Sequence, residues 1–377
     1  MNPLKKFLKS VKLYLNQEII GPEKTTHLTE KEIQASRDIV LKIKELTEKR
    51  ESYIRTHSIN PAFALPDANW SVEAPNEFLR IYSRLIQGKA ADLKNLRALT
   101  SVFSGYSLYA VNYSRGLSVV NLEFDKKNLQ DVHQRIKKNN PPFVFEHENQ
   151  VRKVLRSNIF NPPKKFGECG HLVNGVIVNH DTITYQERIN ILEEGGVLQY
   201  LREIQKKKGR LKILEIGGGY GALGFWFQSS FPRIQYTIID LPESLLFSSI
   251  YLSQTCPKSE ISFGIEKSDQ GLRFVPNYMS DHLNESFDLI INTLSMSEMS
   301  PFQVKHYAEL MKEKWIKDSG LFFEQNHDNR HCGFIYAKEV LASNFPYHSD
   351  LNMRERKYRN GTPSLWSFQP ISVTSKQ

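Results

Sequence analysis

Cysteine is scarce in this chain: Cys169, Cys256 and Cys332 are the only three in 377 residues, and no two form a CxxC pair. That excludes a disulfide framework and a thiolate zinc site, and it suggests a reducing, cytoplasmic setting. No stretch approaches the roughly 18–20 apolar residues that span a bilayer. The opening MNPLKKFLKSVKLYLNQEII mixes lysines into its apolar positions, so it lacks the apolar centre and cleavage site of a secretory leader and reads as a lysine-faced helix. Internal repeats and low-complexity tracts are missing, which removes solenoids and disordered tails from consideration. No histidine–carboxylate cluster has a metal-ligand spacing, so metal-independent chemistry is expected.

What is present points to an ordinary globular protein. Hydrophobic residues make up 40% and aromatics 11%, enough for sizeable cores, and the length favours two domains. The net charge of +9 would suit nucleic acid, anionic lipid or an acidic small substrate. The basic residues gather at Lys206, Lys207, Lys208, Arg210 and Lys212, and again at Arg354, Arg356, Lys357 and Arg359. Neither group has the interleaved aromatics of a single-strand binding platform, although the second could receive an anionic acceptor.

Residues 1–165 read as a mainly helical domain, serving as a lid, a substrate element or a homodimer contact. Apolar residues recur at helical spacing from Thr29 to Arg55, over Asn76–Ile86, and from Ala91 into VFSGYSLY. The segment Asp125–Lys138 is also helical in pattern, and NNPPFVFE ends it. Residues 166–377 read differently. FGECGHLVNGVIVNHDT suggests a hairpin, and Thr184 with Glu187 has capping-box spacing for a helix through Leu201. The strands LKILEI, QYTIID, FDLIIN and GLFFEQ then alternate with helical stretches. That alternation implies an α/β fold, a doubly wound and mostly parallel sheet covered on both faces.

The stretch EIGGGYGALG after the first of these strands satisfies two templates. Gly219, Gly221 and Gly224 spell the dinucleotide fingerprint G-x-G-x-x-G. Glu215, Gly217, Gly219 and Gly221 spell E-x-G-x-G-x-G, the form found in S-adenosylmethionine (SAM) methyltransferases. The strand ends at Ile216, so the turn starts at Gly217, which favours the second template. Glu215 at the strand tip suits a cationic amino-acid moiety, and glycines let a ligand approach bare backbone. Asp240 ends the next strand, where a carboxylate accepts from ribose hydroxyls in either cofactor class. Leu241 and Pro242 follow, with Pro242 suited to a first helical turn.

EIGGGYGALG, YTIIDLPESLL, FDLIINTLSMSEMS and GLFFEQN together resemble the bacterial sugar O-methyltransferases, a branch of the class I SAM-dependent methyltransferases. The likeness is closest over residues 211–326 and looser over VFSGYSL and SDLNMRERKYRNG. It implies a Rossmann-like SAM domain that yields S-adenosylhomocysteine (SAH) and methylates a hydroxyl of a sugar, a nucleotide sugar or another sugar-containing metabolite. By this resemblance Glu215, Gly217, Gly219, Gly221, Asp240, Leu241 and Asn292 would contact the cofactor, with Asn277 or Asp281 near adenine. Related enzymes carry a histidine base after the FDLIIN strand, and here none stands there. Glu298, His327 and His180 are therefore the candidate proton acceptors. Ser295 and Glu298 also have the spacing of a helix-capping box.

Three other readings stay open. A nicotinamide oxidoreductase would use the dinucleotide template, and a non-catalytic protein could bind SAM without turnover. A nucleic-acid methyltransferase is suggested by NPPF at Asn140–Phe143, the form of a known catalytic loop. That loop must end an apolar strand, whereas here it follows the charged DVHQRIKKNN, which makes it helix punctuation.

Overall fold

The computed structural model describes residues 18–65, 77–100, 134, 137, 141–152, 154–266, 270–317, 319–351, 361–371 and 373. The expectations for the N-terminal lysine-faced helix, VFSGYSLY and the basic stretch 354–359 lie outside these residues, as does the helix over 125–138 except at Gln134 and Lys137, which are helical. In chain order the elements begin with β1 (Ile19–Ile20), α1 (Glu30–Thr56), α2 (Pro61–Ala64) and α3 (Glu77–Leu85). Next come α4 (Ala90–Lys94), α5 (Leu96–Thr100), α6 (Pro141–Val151), β2 (Gly170–Val173) and β3 (Val176–Val178). Then follow α7 (His180–Glu194), α8 (Val197–Lys208), β4 (Leu211–Ile216), α9 (Ala222–Ser230), β5 (Ile234–Asp240) and α10 (Pro242–Thr255). The rest are β6 (Ile261–Phe263), β7 (Gly271–Pro276), β8 (Leu289–Thr293), α11 (Pro301–Leu310), β9 (Leu321–Gln325), α12 (Ala337–Ala342), β10 (Tyr347–Asp350) and β11 (Ser364–Ser367).

The chain divides into two compact units: Met1–Val40 with Glu77–Asn190, and Leu41–Asn76 with Ile191–Gln377. In the first unit, β1, β2 and β3 form an antiparallel sheet. The expected hairpin is β2–β3. Its Asn174-Gly175 turn has φ of 51° and 87°, the two left-handed positions that a tight two-residue hairpin needs. A helix, α6, starts at Pro141 within NPPF, because proline fits a first helical position and lacks only an N–H that would be unpaired there. The residues just before it, where the preceding helix was expected to end, lie outside the described residues. The cap of α7 also differs from expectation. Asn179 Oδ1 accepts from the Thr182 N–H at 3.0 Å, and Thr182 Oγ1 accepts from the Asn179 N–H at 3.3 Å. Thr184 and Glu187 therefore lie inside the helix, and α7 stops at Glu194, before Gly195 and Gly196, instead of running to Leu201.

The second unit holds an eight-stranded sheet in the order β10-β11-β9-β8-β4-β5-β7-β6. The ladders from β9 to β6 are parallel, whereas β11 runs antiparallel to β9 and β10 antiparallel to β11. This is the α/β, doubly wound, mostly parallel sheet that the alternating elements implied. Leu211–Ile216 is buried along almost its whole length, as expected of a strand covered on both faces. Four strands of this sheet escaped the sequence reading: β6 is three residues long, the apolar run of β7 is broken by Arg273 and closed by Pro276, the YHSD of β10 is exposed throughout, and β11 is four residues. From β4 the chain passes to β5, then to β6 at the edge and back to β7 between them, and crosses to β8 on the other side of β4. That reversal puts the crevice of such a sheet at the carboxyl ends of β4 and β8.

Candidate functional site

Each carboxyl end around this reversal carries a polar device. At β4, the Gly217 N–H donates to the Ile239 carbonyl at 2.8 Å, tying the loop to the neighbouring strand. Gly217 has φ +74°, and a methyl group there would overlap the Ser295 hydroxyl. Gly219, at φ +55°, has none of the described residues within 4 Å of the place a methyl would take. One glycine is therefore demanded by the protein's own packing, the other borders open space. The Gly221 N–H closes the turn on the Gly218 carbonyl at 2.9 Å, and the residue precedes α9. Glu215 lies beneath the loop, 3% exposed, with Oε2 accepting from the Tyr236 hydroxyl at 2.9 Å.

At β5, Asp240 accepts from the Leu241 N–H at 2.8 Å and from the Ser244 hydroxyl at 2.7 Å. Burial pushes its carboxyl up to about 6, against the opposing hydrogen bonds from Ser244, Leu241 and the Gly219 N–H. Leu241 itself is half-buried and precedes Pro242 at the start of α10, as expected. Near this tip, Glu243 is ion-paired with Arg50 of α1, and both are buried.

At β7, Asn277 is buried and donates Nδ2 to the Ala64 carbonyl at 3.0 Å and, more weakly, to that of Phe63 at 3.4 Å. Its Oδ1 is buried and, among the described residues, accepts from none. An orphan acceptor of this kind is costly unless something donates to it. Asp281, the other adenine candidate, has its carboxylate on His306 Nε2 at 2.7 Å.

At β8, Asn292 is fully buried and all its amide valences face protein groups. Nδ2 donates to the Ile216 carbonyl at 2.8 Å and to Ser295 Oγ at 2.6 Å, while Oδ1 accepts from the Met296 N–H at 3.3 Å and from Asn326 Nδ2 at 2.9 Å. Leu294 follows at φ +71°, a left-handed conformation that strains a branched residue and concentrates at functional turns. The Ser295–Glu298 segment is a single 3-10 turn and not the start of a helix. The capping box belongs to Ser300 and Gln303: Pro301 between them takes the first position of α11, which the earlier S-x-x-E lacks. Glu298 is half-buried at the end of this turn, and His327 is half-buried just past β9. His180 belongs to the other unit, with Nδ1 3.6 Å from Asp181 Oδ1.

Sequence reasoning missed Glu324 and Asn326. Glu324 is 1% exposed, and Asn326 Nδ2 donates to its Oε2 at 3.0 Å. The signal was available: EQN ends an otherwise apolar strand, and polar residues there have no packing reason to be buried. Among the described residues no group of three or more His, Cys, Asp or Glu is placed to hold a metal ion. No helix of the described residues is long and apolar enough to cross a membrane.

Comparison with known proteins gives a likeness in structure only. No family model matches the chain, and no curated protein matches it in sequence. Similar solved structures include the N-methyltransferase NodS of Bradyrhizobium japonicum in complex with SAH, at 15% identity and TM-score 0.29, covering 45% of this chain and 82% of that one. Magnesium protoporphyrin IX methyltransferase from Synechocystis PCC 6803, with bound SAM, is similar at 10% identity and TM-score 0.29, over 48% and 83% of the two chains. The bifunctional kinase-methyltransferase WbdD is similar at 12% identity and TM-score 0.33, over 48% and 39%. At these scores the likeness adds nothing to what the sheet order itself states.

Proposed function

We propose that the eight-stranded unit is a SAM-dependent methyltransferase acting on a hydroxyl group of a sugar or sugar-containing metabolite. What supports this reading most is the succession of three devices at adjacent strand tips: open space at Gly219, the Asp240 carboxylate, and the orphan acceptor of Asn277. In that order they fit the amino-acid part, ribose and base of SAM. Asp240 would accept from the ribose hydroxyls. Asn277 Oδ1 would take an N–H of the exocyclic amine of adenine, which would satisfy the buried oxygen. Glu215, Leu241 and Asn292 complete the berth, Asn292 by holding the loop and not by touching the ligand. SAM supplies, when bound, a methyl group on a positively charged sulfur. The residues of this chain have to align an acceptor hydroxyl, exclude water and take up its proton. Glu298 and His327 are the residues we assign to that proton. The sugar acceptor rests on the resemblance of residues 211–326 alone.

One observation favours the dinucleotide reading. A methyl on Gly224 would press on Leu252 at 3.1 Å and Tyr236 at 3.2 Å, the close helix–strand approach served by the third glycine of that fingerprint. The test is incubation with labelled SAM and a panel of nucleotide sugars and glycan extracts, with products read by mass spectrometry. We expect a mass gain of one methylene on a sugar hydroxyl, and turnover reduced about 100-fold or more in E298A or H327A. Transfer to no acceptor in the panel would remove the sugar assignment. Full activity in both variants would remove their role.

A further inference from the structure

Beneath the loop lies a buried polar chain that neither nucleoside contacts nor proton transfer uses. It starts at Ile216 and Ser295, which both meet Asn292 Nδ2. It continues from Asn292 Oδ1 to Asn326 Nδ2 and ends where that same Nδ2 donates to Glu324 Oε2. Branches reach two backbone amides of the turn after β8: Met296 N–H donates to Asn292 Oδ1, and Ser297 N–H to Asn326 Oδ1 at 3.2 Å. The orientation of both amides is unambiguous. A backbone N–H can only donate and a carbonyl only accept, so Met296, Ser297 and Ile216 fix which end of each side chain is nitrogen. Once those ends are fixed, the two Asn326 N–H groups must find acceptors. Asn292 Oδ1 is one and Glu324 is the other. Glu324 stands on a sheet strand, in register with Asn292 of β8 and Ser364 of β11, and so forms a rigid end to the chain.

We infer that Glu324 is a positioning residue: acting through Asn326 and Asn292, it sets the Ser295 hydroxyl against Gly217 and so shapes the glycine loop. A carboxyl group with 1% exposure is expensive to bury for packing alone, since a methionine fills similar volume without desolvating a polar group. Its retention at the end of a satisfied amide chain is explained by the acceptor it provides. The consequence for ligand binding rests on the reading of the loop as a SAM berth; the consequence for the loop itself does not.

The test compares E324Q, which keeps an acceptor, with E324M, which keeps the volume and loses it. Amide hydrogen exchange of the ligand-free protein is read at Met296 and Ser297, and SAH affinity by calorimetry. N326D serves as a second variant, because it replaces the donor while leaving Glu324 in place. We expect E324M and N326D to lose protection at Ser297 and Met296 about tenfold, with E324Q within twofold of the parent, and SAH affinity to fall in parallel. Equal protection in E324M and E324Q, or loss in both, overturns the inference, because a role in filling space would treat the two alike. Loss of protection in E324M with no SAH binding even by the parent protein would leave Glu324 its positioning role and refute the SAM reading instead.

Discussion

Both units bury ion pairs, but one network in each, compared side by side, is built on an opposite principle. In the first unit Arg97, 3% exposed, donates to Glu168 at 2.8 Å, to Asp181 at 2.8 Å and to Thr100 at 3.1 Å. Asn179 closes the knot on Glu168 at 2.7 Å. It ties α5, the segment before β2 and the start of α7 into one ionic cluster. In the second unit, apart from the ion pairs Arg50–Glu243 and Arg273–Glu285, a line of neutral amides, Asn292 and Asn326, leads from Glu324 to the glycine loop. A closed ionic knot holds segments together. A directed amide chain sets an orientation at one end, and that end is where the sheet reverses. Buried polarity alone does not mark a site, since polar atoms orphaned among the described residues occur in both units; what singles out the second network is that it leads to the sheet reversal beside Gly219.

The difference can be broken most forcefully at Arg97. R97A leaves two carboxylates buried without their partner, and we expect a loss of about 3–5 kcal/mol in chemical denaturation. Next comes the pair of loop glycines. G217A should destabilise by about 1–3 kcal/mol because its methyl overlaps Ser295. G219A should cost only the strain of positive φ, about 1–2 kcal/mol, yet lose SAH affinity, because its methyl enters the space assigned to the ligand. A stability loss in G219A as large as in G217A would show that this space is already filled.

The pH responses should also run in opposite directions. Burial would raise the Asp181 carboxyl, but hydrogen bonds and charge from His180 and Arg97 hold it below the ordinary value. Its contribution is therefore present above the unfolded pKa and lost as pH falls; D181N should flatten the acid limb of stability. Burial pushes Glu324 up to about 7, against the Asn326 hydrogen bond. Its contribution is full below the unfolded value of 4.5 and is lost as pH rises towards 7. E324Q should remove that decline, by at most on the order of 3 kcal/mol between pH 4 and 8. The smallest effect concerns binding. In the proposed berth ribose hydroxyls would donate to ionised Asp240, so SAH affinity should weaken below pH about 6, by no more than about tenfold per unit, and the slope should vanish in D240N.

Much of this site was legible in the sequence because strand tips write themselves plainly. Apolar runs ending in glycines or in Asp240 place loop and acid without reference to tertiary contacts. The parallel strands β4, β5, β8 and β9 were equally plain, since burial on both faces leaves uninterrupted apolar segments. What stayed hidden depends on choices between local rivals. S-x-x-E at 295–298 and S-x-x-Q at 300–303 compete for one helix start, and only Pro301 decides between them. Asn292 read as a ligand contact because its position is right, but the direction of an amide is set by partners far away in sequence, here Ile216 and Asn326. The Thr184–Glu187 spacing pointed to a helix start that Asn179 and Thr182 cap instead, and the helix stops before Gly195-Gly196, short of the expected Leu201.

The central claim is that Gly219, Asp240 and Asn277 form a berth for a sulfonium nucleoside. Calorimetry with SAH and with a nicotinamide cofactor, on the parent protein and on D240A, tests it most directly. The account predicts saturable SAH binding by the parent, at least tenfold weaker binding by D240A, and no heat with the nicotinamide cofactor. Saturation by the nicotinamide cofactor with no response to SAH, or SAH affinity unchanged in D240A, would contradict it.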